Sequence, residues 1–346
     1  MLTADQSGCC PFAPFVKNIG TSYADIFPED ACTAAGENWG LGTDLIGTGP
    51  YKIAENDDTT QVVLVKNEDY HGGEVNLDEL DIIFYDDDQT KLIAYENGDI
   101  DLADLNASLL SQYETNYADE ITAYHPLGTS FISMNLKDQY LSDVNVRKAI
   151  SLAINREELV SAVLNGAGIP ATSYLNNGIP GHDDSLSVYE YDPEQAKEYY
   201  DKAVEELGSA PSEVTLLVAD DSVSKSVATF IQSELVTTLG LNVVIDTKTV
   251  QGRGELMDAN NYQFAVTAWG ADYDDAMTYL DLWTNGTPYR GNYNDADYNA
   301  LISDAKTQTD DAARLDDMLK AEKKLVEEDA VVAPVYHRGS AVLTKS

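Results

Sequence analysis

The segment Trp269-Gly270-Ala271-Asp272-Tyr273-Asp274-Asp275 puts three carboxylates and two aromatic rings within seven positions. It continues Phe264 to Trp269 (FAVTAW), a run that reads as a buried strand, and so stands at a strand's carboxyl end. In α/β proteins ligands gather there, in pockets that combine apolar walls with a few placed polar groups. A polar strand-exit loop with Trp269 in the core explains the same residues equally well.

Other chemistry is sparse. The four histidines, His71, His125, His182 and His337, are widely separated and form no H-E-x-x-H or Cys/His cluster, so they read as surface or loop residues and not as a zinc site. Gly47-Thr48-Gly49 lacks the third glycine and following helix of a dinucleotide loop, and no G-K-[ST] occurs. Ser222-Val223-Ser224-Lys225 fits S-x-x-K without its partner motifs. Asp86-Asp87-Asp88 lacks the alternation and glycine of a calcium loop and reads as a solvated turn capping the next helix. With no set of nucleophile, base and orienting group, the sequence does not read as an enzyme, and no cofactor or metal is expected.

The elements that position these residues are bounded by composition. A length of 346 residues suits two domains at ~150 residues each. Apolar residues at 43% suffice for a sizeable core. The 21 Lys and Arg against 60 Asp and Glu leave a formal net charge of −39, which excludes nucleic acid as a partner and disfavours anionic membrane surfaces. No run of eighteen apolar residues is present to span a bilayer. Met1 to Gln6 has neither a basic start nor an apolar stretch, so no signal peptide is expected in this chain. Cys9, Cys10 and Cys32 read as free thiols or as a bridge from Cys9 or Cys10 to Cys32, and Gly8-Cys9 resembles a lipobox end without the apolar stretch that precedes one.

Thr59 to Lys66, Glu79 to Tyr85 and Thr129 to Asn135 read as strands, and Asp88 to Asn97 as a helix closed by Gly98. Val146, Ala149, Ile150, Ala153 and Ile154 recur at helical spacing, and Asn155 with Glu158 forms a capping box for a helix ending at Gly166. Asp192 and Pro193 start a helix that Gly208 stops. Glu213 to Ala219, Ser224 to Leu239 and Asn242 to Val250 form a strand-helix-strand unit with parallel strands. A charged helix over Asp310 to Glu328 precedes a last strand, Val331 to Tyr336. The architecture is mixed α/β.

Seven collinear stretches carry a resemblance. They are Gly47-Thr48-Gly49-Pro50-Tyr51-Lys52, Asn67-Glu68-Asp69-Tyr70, Asn97-Gly98-Asp99-Ile100-Asp101, the run from Asp143 to Arg156 (DVNVRKAISLAINR), Tyr191-Asp192-Pro193-Glu194-Gln195-Ala196, Trp269-Gly270-Ala271-Asp272-Tyr273, and Glu327 to Tyr336 (EEDAVVAPVY). In this order they make the chain resemble the extracytoplasmic solute-binding proteins of ABC importers known as family 5, which include the oligopeptide and dipeptide receptors. The resemblance implies a periplasmic-binding-protein-like α/β fold (type II, cluster C), a two-lobed clamp incomplete at the N-terminus. Residues 1–124 are then a partial lobe I, to which 338–346 return, and 125–337 a lobe III-like ligand-binding domain. It further implies a monomer, placed in the periplasm or at the cell surface as a lipoprotein, that captures peptides by hinge closure and delivers them to a membrane permease.

In the peptide-binding branch the Asp of W-x-x-D-Y pairs with the peptide's α-ammonium, which assigns that role to Asp272. The backbone around Ala268, Trp269 and Gly270 then pairs with the peptide as an added strand, and Trp269 and Tyr273 line the pocket. Some oligopeptide receptors carry an Arg three residues before the Trp. Here that position is Val266, and no cation stands nearer upstream than Arg253. The Pro that often follows the acidic pair is Ala276. The alternatives are the same fold binding an oligosaccharide or metal chelate, or a sensory or enzymatic derivative.

Overall fold

The computed structural model describes residues 28–345 except 41, 44, 58 and 184–189. Cys9, Cys10 and Gly8, with the lipobox and disulfide expectations, lie outside the described residues, among which Cys32 has no disulfide partner. Contacts divide the chain into two compact units, one of 22–103 with Lys345 and one of 104–344.

The first unit holds α1 (Glu29–Ala35), an antiparallel sheet of β1 (Tyr51–Asn56), β2 (Gln61–Lys66) and β3 (Glu79–Ile83), and α2 (Asp88–Asn97). Asp87 starts α2 by accepting the Thr90 N–H at 2.8 Å, and Gly98 ends it at φ 86°. That is the capping turn expected of the aspartate triplet.

The chain leaves the first unit inside β4 (Leu102–Leu105), followed by α3 (Ala107–Tyr117), β5 (Ile121–Tyr124) and β6 (Gly128–Met134). Next come α4 (Val144–Leu152), α5 (Arg156–Glu158) running into a π-turn, β7 (Gly168–Pro170), α6 (Pro193–Leu207), β8 (Val214–Ala219), α7 (Ser222–Leu239) and β9 (Val243–Lys248). Then follow α8 (Val250–Asp258), β10 (Phe264–Gly270), α9 (Met277–Leu280), α10 (Ala296–Thr307), α11 (Asp311–Lys323), β11 (Val332–Arg338) and β12 (Ser340–Thr344). A six-stranded sheet of order β7-β11-β6-β10-β8-β9 dominates, and β4-β12-β5 form a smaller one. β8 and β9 run parallel, as the strand-helix-strand reading requires. Leu216 and Val218 join the main core with Val227 and Ile231 of α7, while Leu217 packs with Met257 of α8. Alternate residues of β8 therefore serve opposite faces of the sheet.

Two expectations are corrected. The strand expected to reach Val250 stops at Lys248, because Thr249 caps α8 by accepting the Gly252 N–H. Val331 to Tyr336 is not the last strand, since β12 follows and pairs with β5.

The run from Asp143 to Arg156 owes its arginines to packing. Arg147 donates to the carbonyls of Leu141, Ser142 and Asp329. Arg156 donates to those of Pro334 at 2.7 Å, Ser151 at 3.0 Å and Ile154 at 3.2 Å. Pro334 adjoins the register shift in β11, and its carbonyl is satisfied by this buried guanidinium. Arg156→Met preserves bulk and orphans these acceptors, so it is expected to cost about 2 kcal/mol in urea unfolding. A loss under ~0.5 kcal/mol would count against the clamp.

Candidate ligand-binding site

β10 has two different edges. All seven of its residues pair with β6, from Phe264 opposite Met134 to Gly270 opposite Gly128. Its pairing with β8 covers only Phe264 and Ala265. From Val266 to Gly270 the second edge carries no strand among the described residues, and the Val266 carbonyl there accepts Arg253 Nη1 at 3.1 Å. Ala268 and Gly270 are exposed and Trp269 is half-buried. Unsatisfied backbone on such an edge is a template for another extended chain.

The loop after β10 is pinned at several points. Ala271 N–H donates to the Leu127 carbonyl at 2.7 Å, and Asp272 N–H to Thr278 Oγ1 at 3.1 Å. Asp275 accepts the Met277 N–H at 3.0 Å and takes a bidentate pair from Arg314 at 2.6 and 3.0 Å, both side chains nearly buried. Of the three carboxylates in the loop, Asp275 thus holds the backbone. Asp272 is exposed, and its carboxylate makes no hydrogen bond or ion pair with a described residue. Tyr273 beside it is half-buried against the core. The structure therefore gathers Ala268, Trp269, Gly270, Asp272 and Tyr273 into one strand end and its exit loop. Ala276 is fully buried ahead of α9, in the place where the resemblance leads one to look for Pro.

Two cations reach this strand, of which sequence reasoning named Arg253 only as the nearest one upstream and missed Arg290. Arg253 reaches the carbonyl of Val266 from α8. Arg290 lies with its Cζ 5.1 Å from the ring centre of Trp269. Neither is visible in a scan of the residues just before the motif. A polar cavity of about 600 Å³, lined by Asn135, Asp138, Lys248, Tyr262 and Gln263 among others, lies at the opposite end of β10 and does not include the loop.

His337 corrects the reading of all four histidines as surface or loop residues. It lies in β11, 2% exposed, with Nδ1 2.9 Å from Thr129 Oγ1. Burial, aided by the neighbouring His182, lowers it to about 4. Glu322 of α11 is also fully buried. Its Oε1 accepts the N–H groups of Tyr174 and Leu175, both at 2.8 Å, and burial pushes it up to about 7 against those bonds. Between 4.5 and about 7 the folded chain holds a proton on Glu322 that the unfolded chain has lost, so this group lowers stability as pH rises. His337 acts oppositely, because stability is lost as pH falls from 6.5 towards about 4 and the unfolded chain takes up a proton that the folded chain refuses. The two slopes offset each other in mildly acidic solution. Glu322→Gln removes one of them, and relative to wild type the variant should gain on the order of 2–3 kcal/mol as pH rises through this window. Urea midpoints at several pH values check this, and a constant difference would overturn it.

A sequence model of the bacterial extracellular solute-binding proteins, family 5 Middle, matches residues 5–291. The oligopeptide-binding protein OppA of Bacillus subtilis is 25% identical over 311 residues, covering 86% of this chain and 57% of that protein. The periplasmic binding protein DppA of Helicobacter pylori, solved with the peptide STSA, superimposes with a TM-score of 0.83 at 25% identity, covering 97% of this chain and 67% of that one. OppA of Listeria monocytogenes, solved bound to peptide, gives a TM-score of 0.78 at 26% identity, covering 92% and 64%. The chain spans 57% of OppA of Bacillus subtilis and 63% of the probable D,D-dipeptide-binding periplasmic protein DdpA of Escherichia coli.

Proposed function

The chain belongs to the bacterial extracellular solute-binding proteins of family 5, and from that membership we propose that it is the solute-capturing component of an ABC importer, taking peptides outside the cytoplasm and delivering them to a membrane permease. Its α/β fold is that of the periplasmic peptide-binding proteins. The observation that carries the reading is the edge of β10 left open among the described residues, exposed at Ala268 and Gly270 and ending at the Asp272 carboxylate, which has no described partner. A peptide laid along that edge gains main-chain hydrogen bonds that do not depend on its side chains. Its α-ammonium reaches Asp272, and Trp269 and Tyr273 supply the walls.

In this reading residues 1–124, with 338–346, belong to one lobe and 125–337 to the ligand-binding lobe. The protein acts as a monomer in the periplasm or as a cell-surface lipoprotein, and it does no chemistry on its ligand. Calorimetry with a free-amine peptide and its N-acetylated form tests the central claim, and equal affinities reject it. Mass spectrometry of peptides that co-purify with the protein identifies the natural set.

A further inference from the structure

Four arginines are almost fully buried: Arg147, Arg156, Arg290 and Arg314. The first two end on backbone carbonyls and Arg314 ends on Asp275. The guanidinium of Arg290, a residue 7% exposed, makes no hydrogen bond or ion pair with any described residue, and its Nη1 is completely enclosed. In a chain with 60 Asp and Glu this isolation reflects placement and not a shortage of anions.

Rings surround the guanidinium. Its Cζ lies 5.1 Å from the centre of Trp269, 5.5 Å from Trp283 and 5.0 Å from Tyr289. Ring faces stabilise the charge. They offer no acceptor to the N–H groups, which radiate in the guanidinium plane.

Other donors nearby share the deficit. Trp269 Nε1, Thr267 Oγ1 and Arg253 Nε are buried without a hydrogen-bond partner among the described residues. Thr267 and Trp269 point to the same face of β10. Phe131, directly opposite Thr267, packs against Trp283 at 6.1 Å, which ties these donors to the rings around Arg290. What the group lacks is an acceptor.

The seat is held in place. Arg290 ends the short turn Pro288–Arg290, whose Pro288 carbonyl accepts Tyr262 Oη at 2.7 Å. Gly291 follows at φ 67°, and a Cβ there would stand 2.3 Å from the Met134 carbonyl oxygen. The turn can approach β6 this closely only with glycine at that position.

We propose that Arg290 is a carboxylate seat of the ligand site, held flat by Trp269, Trp283 and Tyr289 so that two parallel N–H groups meet the two oxygens of a carboxylate. The proposal rests on the assignment of β10 and Trp269 to the ligand. It adds a second charge to that site, so that the amine goes to Asp272 and a carboxylate goes to Arg290. The cation absent at Val266 is then supplied across the sheet face, from beyond the motif. The carboxylate is the peptide's C-terminus or an acidic side chain.

Trp269 and Trp283 make the seat visible by fluorescence. Titration with sodium acetate, against sodium chloride at equal ionic strength, is expected to change tryptophan emission saturably. Arg290→Met, which preserves bulk, abolishes the response. Arg290→Lys, which preserves charge without the planar pair, weakens it about tenfold. Amidating the C-terminus of a bound peptide weakens binding about tenfold in wild type and has no effect in Arg290→Met. If an early acidic side chain supplies the carboxylate, its neutral amide analogue gives that loss instead. No acetate response in wild type, or an equal response in Arg290→Met, overturns the seat. A saturable acetate response without peptide binding supports the seat and overturns only the peptide reading, because acetate has no amine.

Discussion

Asp272→Asn is expected to weaken a free-amine peptide by about 10²–10³-fold and to erase the difference between that peptide and its N-acetylated form. The magnitude depends on water. In the free protein Asp272 is exposed and has no partner among the described residues, and an ammonium meeting it there gains ~1 kcal/mol or less. A peptide hydrogen-bonded along β10 places its amino end at the loop, between Trp269 and Tyr273, where both charges lose solvent. Removing one charge from a pair in that state leaves the other buried, at a cost of about 3–5 kcal/mol. Asn keeps the shape of Asp and the Thr278 bond to the backbone N–H, so the loop itself is undisturbed. Calorimetry across the four combinations of protein and peptide isolates the coupling. A loss below about fivefold would place Asp272 among the solvated surface acids.

The second large effect concerns stability. Asp275→Asn should destabilise the fold by about 3–5 kcal/mol, read from urea unfolding, because Arg314 keeps its charge in a nearly buried position and loses its bidentate partner. The amide oxygen can still accept the Met277 N–H, so the loss reports the ion pair and not the turn. Replacing both partners, as Asp275→Leu with Arg314→Met, should cost less than the single change, since no charge is left stranded. A single-variant loss under ~1 kcal/mol would remove the pair from the list of forces that shape the ligand loop.

How far the sequence foretells this structure depends on where the instructions lie. The helix from Pro193 to Leu207 carries its own start and stop in Asp192, Pro193 and Gly208, and it is found between those signals. α8 has two glycines, Gly252 and Gly254, in nine residues directly after a strand, which hides it from propensity and pattern alike. α3 is similarly faint, with no side-chain cap at Asn106. The capping box at Asn155 is half realised. Asn155 Oδ1 accepts the Glu158 N–H, but the Asn155 N–H goes to Glu234, which only tertiary packing brings near.

The same division runs through the candidate site. The segment from Trp269 to Tyr273 is legible because strand, turn and charge are adjacent in the chain. The partners that fix its chemistry are not: Arg314 pins Asp275 from 39 residues away, and Arg253 and Arg290 come from separate elements. His337 misled for a related reason, since a lone histidine carries no local sign that a sheet will enclose it.

β10 is bonded along its full length on one side and for only two residues on the other. That asymmetry has a consequence in time as well as in space. Amide hydrogens facing β6 can be replaced by solvent only when the sheet interior opens, whereas those facing the free edge stay within reach of water throughout the life of the folded chain. A bound peptide moves the second set into the slow regime of the first. Occupancy is thereby recorded in the lifetimes of a few hydrogen atoms, even where no backbone atom changes place.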